Sequence, residues 1–255
     1  MDKGRKTIQS FFSGLIFLLL MNGPAAAFAT LDEQIAHYLE VLDNGSYAAK
    51  TTMLERLQWS GLSDPRLYDQ IESRLLADYQ KEDLNKNDYA VMSHQARALS
   101  YSGNEKYRKS LKMVMKQAAN KRVAKHARKA LSQLKDFSRW QKLIEQSSAN
   151  ASAKEVEVAS YMRMLNVDDV FVQRLAARAI YHEEQNDPDL LALTADKLKA
   201  IYAQEGLDKQ EQDTAAWLCK ALGQSGIAEY GQLLTRVADE TPYKKIRKYA
   251  VQYAQ

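Results

Sequence analysis

The chain has 255 residues, 36 Lys and Arg against 32 Asp and Glu, a net charge of +4, and 45% hydrophobic residues. That apolar content excludes wholesale disorder, and the length suits one domain or one continuous repeat array. Cys219 is the single cysteine, which excludes an intramolecular disulfide, so stability has to come from packing.

The first 29 residues have the three-part layout of a secretory signal peptide. Lys3, Arg5 and Lys6 form a positive start, Phe11 to Met21 is an apolar run, and Asn22-Gly23-Pro24 breaks it. Ala25 to Ala29 then supplies small residues in the A-x-A pattern. A membrane span needs about 20 apolar residues, so this run is too short to anchor the chain comfortably. No cysteine follows it, which excludes a lipoprotein signal. Cleavage is expected after Ala29, with Ala27 as second choice. That would leave residues 30–255 nearly neutral, in the periplasm or secreted, and with no transmembrane span.

From residue 30 onward, apolar residues recur at three- and four-residue intervals, and no segment alternates as a strand would. Leu31, Ile35, Tyr38, Leu39 and Leu42 make the first apolar face. Leu67, Ile71, Leu75 and Leu76 make a later one, and Val123, Ala127, Ala130, Leu131 and Leu134 another. Asn, Gly and Pro breaks punctuate the pattern at short spacing. Asp64-Pro65 and Asp187-Pro188 place a capping side chain just before a proline at a helix start, and Thr241-Pro242 does the same. About thirteen helices joined by short turns are expected, and short connections favour antiparallel neighbours.

The chain also repeats itself. Ala98-Leu99, Ser102-Gly103, Tyr107, Leu111 and Val114 match Ala221-Leu222, Ser225-Gly226, Tyr230, Leu234 and Val237 without a gap. The match continues through Lys121/Lys244, Val123/Ile246, Lys125/Lys248 and Ala127/Ala250. Asp169, Val172, Ala176-Ala177 and Ala179-Ile180 have the spacing of the HEAT-repeat consensus, and the segments from Asp64 and Asp187 follow it loosely. Ile246-Arg247 with Ala250 supplies the repeat's arginine, whereas Tyr68 and Gln173 replace it. The chain therefore resembles the HEAT-repeat proteins. That resemblance implies an all-α solenoid of stacked antiparallel hairpins over residues 30–255, and it implies no activity.

No catalytic or metal-binding pattern is present. His37, His94, His126 and His182 never fall three or four residues apart, and no glycine-rich phosphate loop or nucleophile elbow occurs. His94 occupies the repeat position of Trp217, which points to packing for both. Cys219 lies in an apolar stretch and is expected to be a buried structural thiol. No enzyme activity, cofactor or metal is expected.

Charge is the outstanding feature. Eleven basic residues and no acid lie between Lys106 and Lys135. Arg108, Lys109, Lys112 and Lys116 belong to one expected helix. Lys121, Arg122, Lys125, Arg128 and Lys129 belong to the next. Merged, these stripes would attract anions. The expectation is a non-catalytic scaffold for protein–protein interaction, whose partner is a protein or an anionic envelope component. Nucleic acid is disfavoured for an exported chain, and the sequence shows no basic–aromatic interleaving suited to base stacking. The alternatives are an enzyme with its site in the concave groove, or a binder of nucleic acid or another anionic polymer.

Overall fold

Side-chain caps set where the helices begin. In a computed structural model, which describes residues 30–144 and 153–254, Thr30 caps α1 (Leu31–Asn44) and Ser46 caps α2 (Tyr47–Arg56). Asp64 accepts from the Arg66 amide at 2.8 Å and starts α3 (Pro65–Asp78), as its Asp-Pro pair predicts. Asn85 and Asp88 form a capping box on α4 (Lys86–Tyr101). A 3-10 turn (Glu105–Tyr107) leads into α5 (Arg108–Gln117), then α6 (Lys121–Ile144). The second half contains α7 (Ala153–Asn166), α8 (Val170–His182), α9 (Pro188–Ile201), α10 (Lys209–Gln224), α11 (Ala228–Glu240) and α12 (Lys244–Tyr253). Thus twelve α-helices and no strand occur among the described residues. None of these helices is long and apolar enough to cross a membrane. The expected signal peptide and its cleavage sites lie outside the described residues.

The helices form an α-solenoid. Consecutive helices pair as hairpins, α1 with α2 through α11 with α12. The even-numbered helices then touch in one row, α2–α4–α6–α8–α10–α12, while the odd-numbered ones meet more sparsely. The even row is therefore the inner, concave side. Alanines let these helices approach: Ala96, Ala98, Ala127, Ala130, Ala176, Ala177, Ala179, Ala221 and Ala250 are all buried. Cys219 is buried among them, and burial pushes its thiol up to about 12.

The duplication is far longer than the sequence match. Both ends of α3 and α9 are 123 residues apart, and so are both ends of α4 and α10. Asp208 and Glu211 repeat the capping box of Asn85 and Asp88. Tyr79 donates to Gln117, and its counterpart Tyr202 donates to Glu240, the counterpart of Gln117. Gly61 and Glu184, also equivalent, both adopt the left-handed region, with φ of 71° and 50°. Among the described residues the twelve helices thus form two sets of six in the same 123-residue register.

The two halves meet at two seams. At one, Trp140 stacks on Phe171 with centroids 3.7 Å apart, and Phe137 meets Phe171 edge-on. Asp169 Oδ2 accepts from Trp140 and Arg139, each at 3.0 Å, while Oδ1 caps α8. Asp169 thus joins the halves. At the other seam the inner row curls until α8 reaches α2, and equivalent residues come together. Arg178 pairs with Glu55 at 2.5 Å, and Trp59 stacks on His182 at 5.6 Å. Arg56 adds a 2.7 Å pair to Glu183, which also accepts from Trp59 Nε1. Burial raises the Glu183 carboxyl above its ordinary range, and Arg56 opposes that shift.

Gly103 shows how tightly the first half packs. Its φ is +63°, and an added Cβ would lie 2.8 Å from the Ser138 Cα. Its counterpart Gly226 has φ +67°, and an added Cβ there would meet nothing within 4 Å among the described residues. Gly226→Ala is expected to cost about 1 kcal/mol, the left-handed penalty alone. Gly103→Ala adds a backbone clash and is expected to cost about 1–3 kcal/mol more. Chemical denaturation checks this, and equal losses at the two sites would contradict it.

Candidate anion site on the inner face

Helical spacing lines the inner face. His94, Arg97 and Tyr101 fall at i, i+3 and i+7 on α4, and Arg122, His126 and Lys129 at i, i+4 and i+7 on α6. Arg174 and Arg178 do the same on α8, and Asp213, Trp217 and Lys220 on α10. Lys245 and Tyr249 continue the face on α12. Helices α2, α4, α6 and α8 close a circuit, since α8 touches both α6 and α2.

The groups on this circuit are close enough to perturb one another. Burial lowers the His126 imidazole to about 4, assisted by Arg97, Arg122, His94 and Lys129. Burial and Arg97 likewise lower His94, with Arg122 adding to the shift and Glu55 opposing it. Both rings are therefore neutral at pH 7. Burial lowers the Lys129 ammonium too, with Arg97, Arg174 and Arg178 adding to the effect. One space thus holds cations from three helices.

Some of these cations are spoken for. Arg174 and Lys245 share Asp213, at 3.0 and 2.6 Å. Arg178 is held by Glu55 and, at 2.7 Å, by Gln58. Arg97, Arg122 and Lys129 enter no ion pair among the described residues. Among the described residues, the Nδ1 atom of His126 is buried without a hydrogen-bond partner. Uncompensated cations converging beside an unpartnered imidazole nitrogen suit an oxyanion. The cations supply charge-assisted hydrogen bonds, and the ring donates once it takes up a proton.

The basic residues picked out by sequence divide between two places. Arg108 pairs with Glu105, whose carboxyl Arg108, Lys112 and Lys135 hold low. Lys109, Lys112 and Lys116 are exposed on α5, in the outer row, and Lys121, Lys125 and Arg128 are exposed on α6. Of the nine, Arg122 and Lys129 share the inner space with Arg97 and His126. Sequence reasoning missed Arg97, Arg174, Arg178 and Lys220, and treated His94 and Trp217 as packing residues. Both are only half-buried, on the inner face. A signal was available: the 123-residue repeat pairs Arg97 with Lys220 and Arg122 with Lys245, a cation in both copies.

No family model matches the chain, and no curated protein matches it. Among solved structures it is similar to human deoxyhypusine hydroxylase in complex with glycerol, at 14% identity and a TM-score of 0.35. The similarity covers 87% of this chain and 83% of that one. That neighbour is an enzyme, which overturns two expectations: a non-catalytic scaffold for protein–protein interaction, and the absence of enzyme activity. On the inner face His94, which the repeat assigned to packing, is half-buried and, with His126, stands neutral beside Arg97 and Arg122. The likeness carries neither the neighbour's activity nor its ligand to this chain.

Proposed function

We propose that this chain is an exported HEAT-like solenoid whose inner face binds a small oxyanion-bearing ligand, of the phosphate or sulfate-ester class. Supporting this is the convergence of Arg97, Arg122 and Lys129 on the neutral His126, the three cations having no carboxylate partner and the His126 Nδ1 no hydrogen-bond partner among the described residues. A bound dianion offsets the mutual repulsion of these cations and draws a proton onto His126. The resulting imidazolium can hand that proton to a ligand oxygen, so the site is equipped for acid–base chemistry as well as binding.

Titration calorimetry with inorganic sulfate at low salt tests this. Binding is expected to weaken steeply with added salt. It is expected to fall at least about tenfold in Arg97→Gln/Lys129→Gln, from the loss of two charge-assisted contacts. Lys112→Gln/Lys116→Gln on α5 should leave it unchanged. Loss of binding in the α5 variant and not in the inner-face variant would refute an inner site. Export carries its own test: N-terminal sequencing of the protein made in cells should begin at Thr30 or Phe28, and a chain starting at Met1 would contradict it.

A further inference from the structure

Beyond the oxyanion site, cations and aromatic rings alternate along the inner face. The Arg178 guanidinium carbon lies 5.3 Å from the ring centroids of both Trp59 and Trp217. On Trp217 sits the Lys220 ammonium at 3.9 Å, and Lys220 also lies 4.6 Å from the Tyr249 ring. Lys248 follows at 5.4 Å from Tyr249. The order in space is Trp59, Arg178, Trp217, Lys220, Tyr249, Lys248. These residues come from three helices and the turn after α2, spread from position 59 to position 249, so no sequence window contains the interleaving. Trp59 is the buried end, whereas Trp217 and Tyr249 are half-buried and Lys248 is exposed. Neither Lys220 nor Lys248 forms an ion pair among the described residues. Arg178 couples the ladder to the oxyanion site, since it perturbs both Lys129 and Lys220.

We infer that the inner face takes a nucleobase-bearing phosphoester, its phosphates on the cations and its bases on the Trp217 and Tyr249 rings. This deepens the oxyanion proposal and rests on it. The exchange is favourable in principle. A phosphate draws Lys220 off the Trp217 face into a charge-assisted contact, and a base replaces the ammonium on the ring. A cation over a half-buried ring that solvent still reaches is worth no more than a base stacked on it. A polyanion without planar groups would gain the phosphate contacts and leave the rings uncovered.

The test compares oligothymidylate, thymidine monophosphate and inorganic polyphosphate, the polymers matched in charge, on the chain from Thr30. Oligothymidylate is expected to bind at least about tenfold tighter than polyphosphate. Trp217→Leu and, separately, Tyr249→Leu should bring it down towards the polyphosphate value while polyphosphate binding holds. If thymidine monophosphate alone shows the same ring dependence, the ligand is a single nucleotide; if only the oligomer does, it is a strand. Polyphosphate and oligothymidylate binding equally, or both ring variants binding oligothymidylate as the wild type does, would overturn the inference and leave the oxyanion site standing. No binding of any of the three would overturn both. Should Trp217→Leu fold poorly, Tyr249→Leu and Trp217→Phe carry the comparison, the latter being expected to keep the preference.

Discussion

Replacing Arg178 with alanine is expected to destabilise the protein by about 2 kcal/mol, between the scales for exposed and for buried ion pairs. The guanidinium holds Glu55 at 2.5 Å and Gln58 at 2.7 Å, and it lies between the rings of Trp59 and Trp217. Its side chain is 14% exposed and that of Glu55 is 32% exposed, so solvent screens the pair only in part. Truncation leaves Glu55 without its cation and opens a gap between α2 and α8. For a chain of this size, that corresponds to a fall in Tm of about 4–8 °C. Arg178→Lys keeps the charge but loses the two-pronged grip and is expected to fall between the two. A loss below about 1 kcal/mol for Arg178→Ala would mean that the α2–α8 seam does not hold the halves together.

The second large effect is on binding as a function of pH. His126 titrates near 4 in the free protein, against about 6.5 for an ordinary imidazole. Because the folded value is depressed, the unfolded chain binds the proton first, so His126 costs stability as pH falls from 6.5 towards 4. A bound dianion reverses the local field and raises the imidazole, so binding takes up a proton and tightens as pH falls. If the bound ring returns to its ordinary value, sulfate affinity rises up to about 30-fold between pH 7.5 and pH 5. Sulfate keeps its charge over that range, so the ligand adds no titration of its own. His94 shares the same cations and works in the same direction. His126→Gln should flatten most of the dependence. A wild-type affinity that does not change with pH would show that no anion reaches the His126 side of the groove.

Much of the fold is written locally. Asp64-Pro65 and Asp187-Pro188 start α3 and α9 where their capping chemistry requires. The apolar faces are core as expected: Ile35, Tyr38 and Leu42, then Leu67, Ile71 and Leu75, then Val123, Ala127 and Ala130 are buried. Leu31, in the first turn of α1, is the exception at 50% exposed. At Thr241-Pro242 the helix starts later, at Lys244. Thr241 is buried there and its hydroxyl donates to the Tyr202 carbonyl at 2.8 Å, a tertiary contact that a capping rule does not foresee.

The site was legible only in fragments. A run of basic residues is obvious along the chain, yet its members separate once α5 and α6 take different rows. Arg97 is hidden in an alanine-rich helix, and Arg174 and Arg178 lie among the apolar residues of α8. What unites them is the curl that returns α8 to α2. That curl depends on contacts such as Glu55 with Arg178, more than a hundred residues apart in sequence. The duplication is the link between the two levels. It places Glu55 and Arg178, and Trp59 and His182, at equivalent positions. It also sets a cation on the inner face of each copy while the neighbouring rings diverge, His94 and His126 in one half, Trp217 and Tyr249 in the other.

The first measurement to make is a proton NMR titration of the histidine ring signals, with and without sulfate, the His126 resonance assigned from the His126→Gln variant. Binding at the inner face requires a free His126 that titrates near 4 and moves up by a unit or more when sulfate is added. A His126 that titrates near its ordinary value, or one that ignores sulfate, would contradict an oxyanion site among Arg97, Arg122 and Lys129.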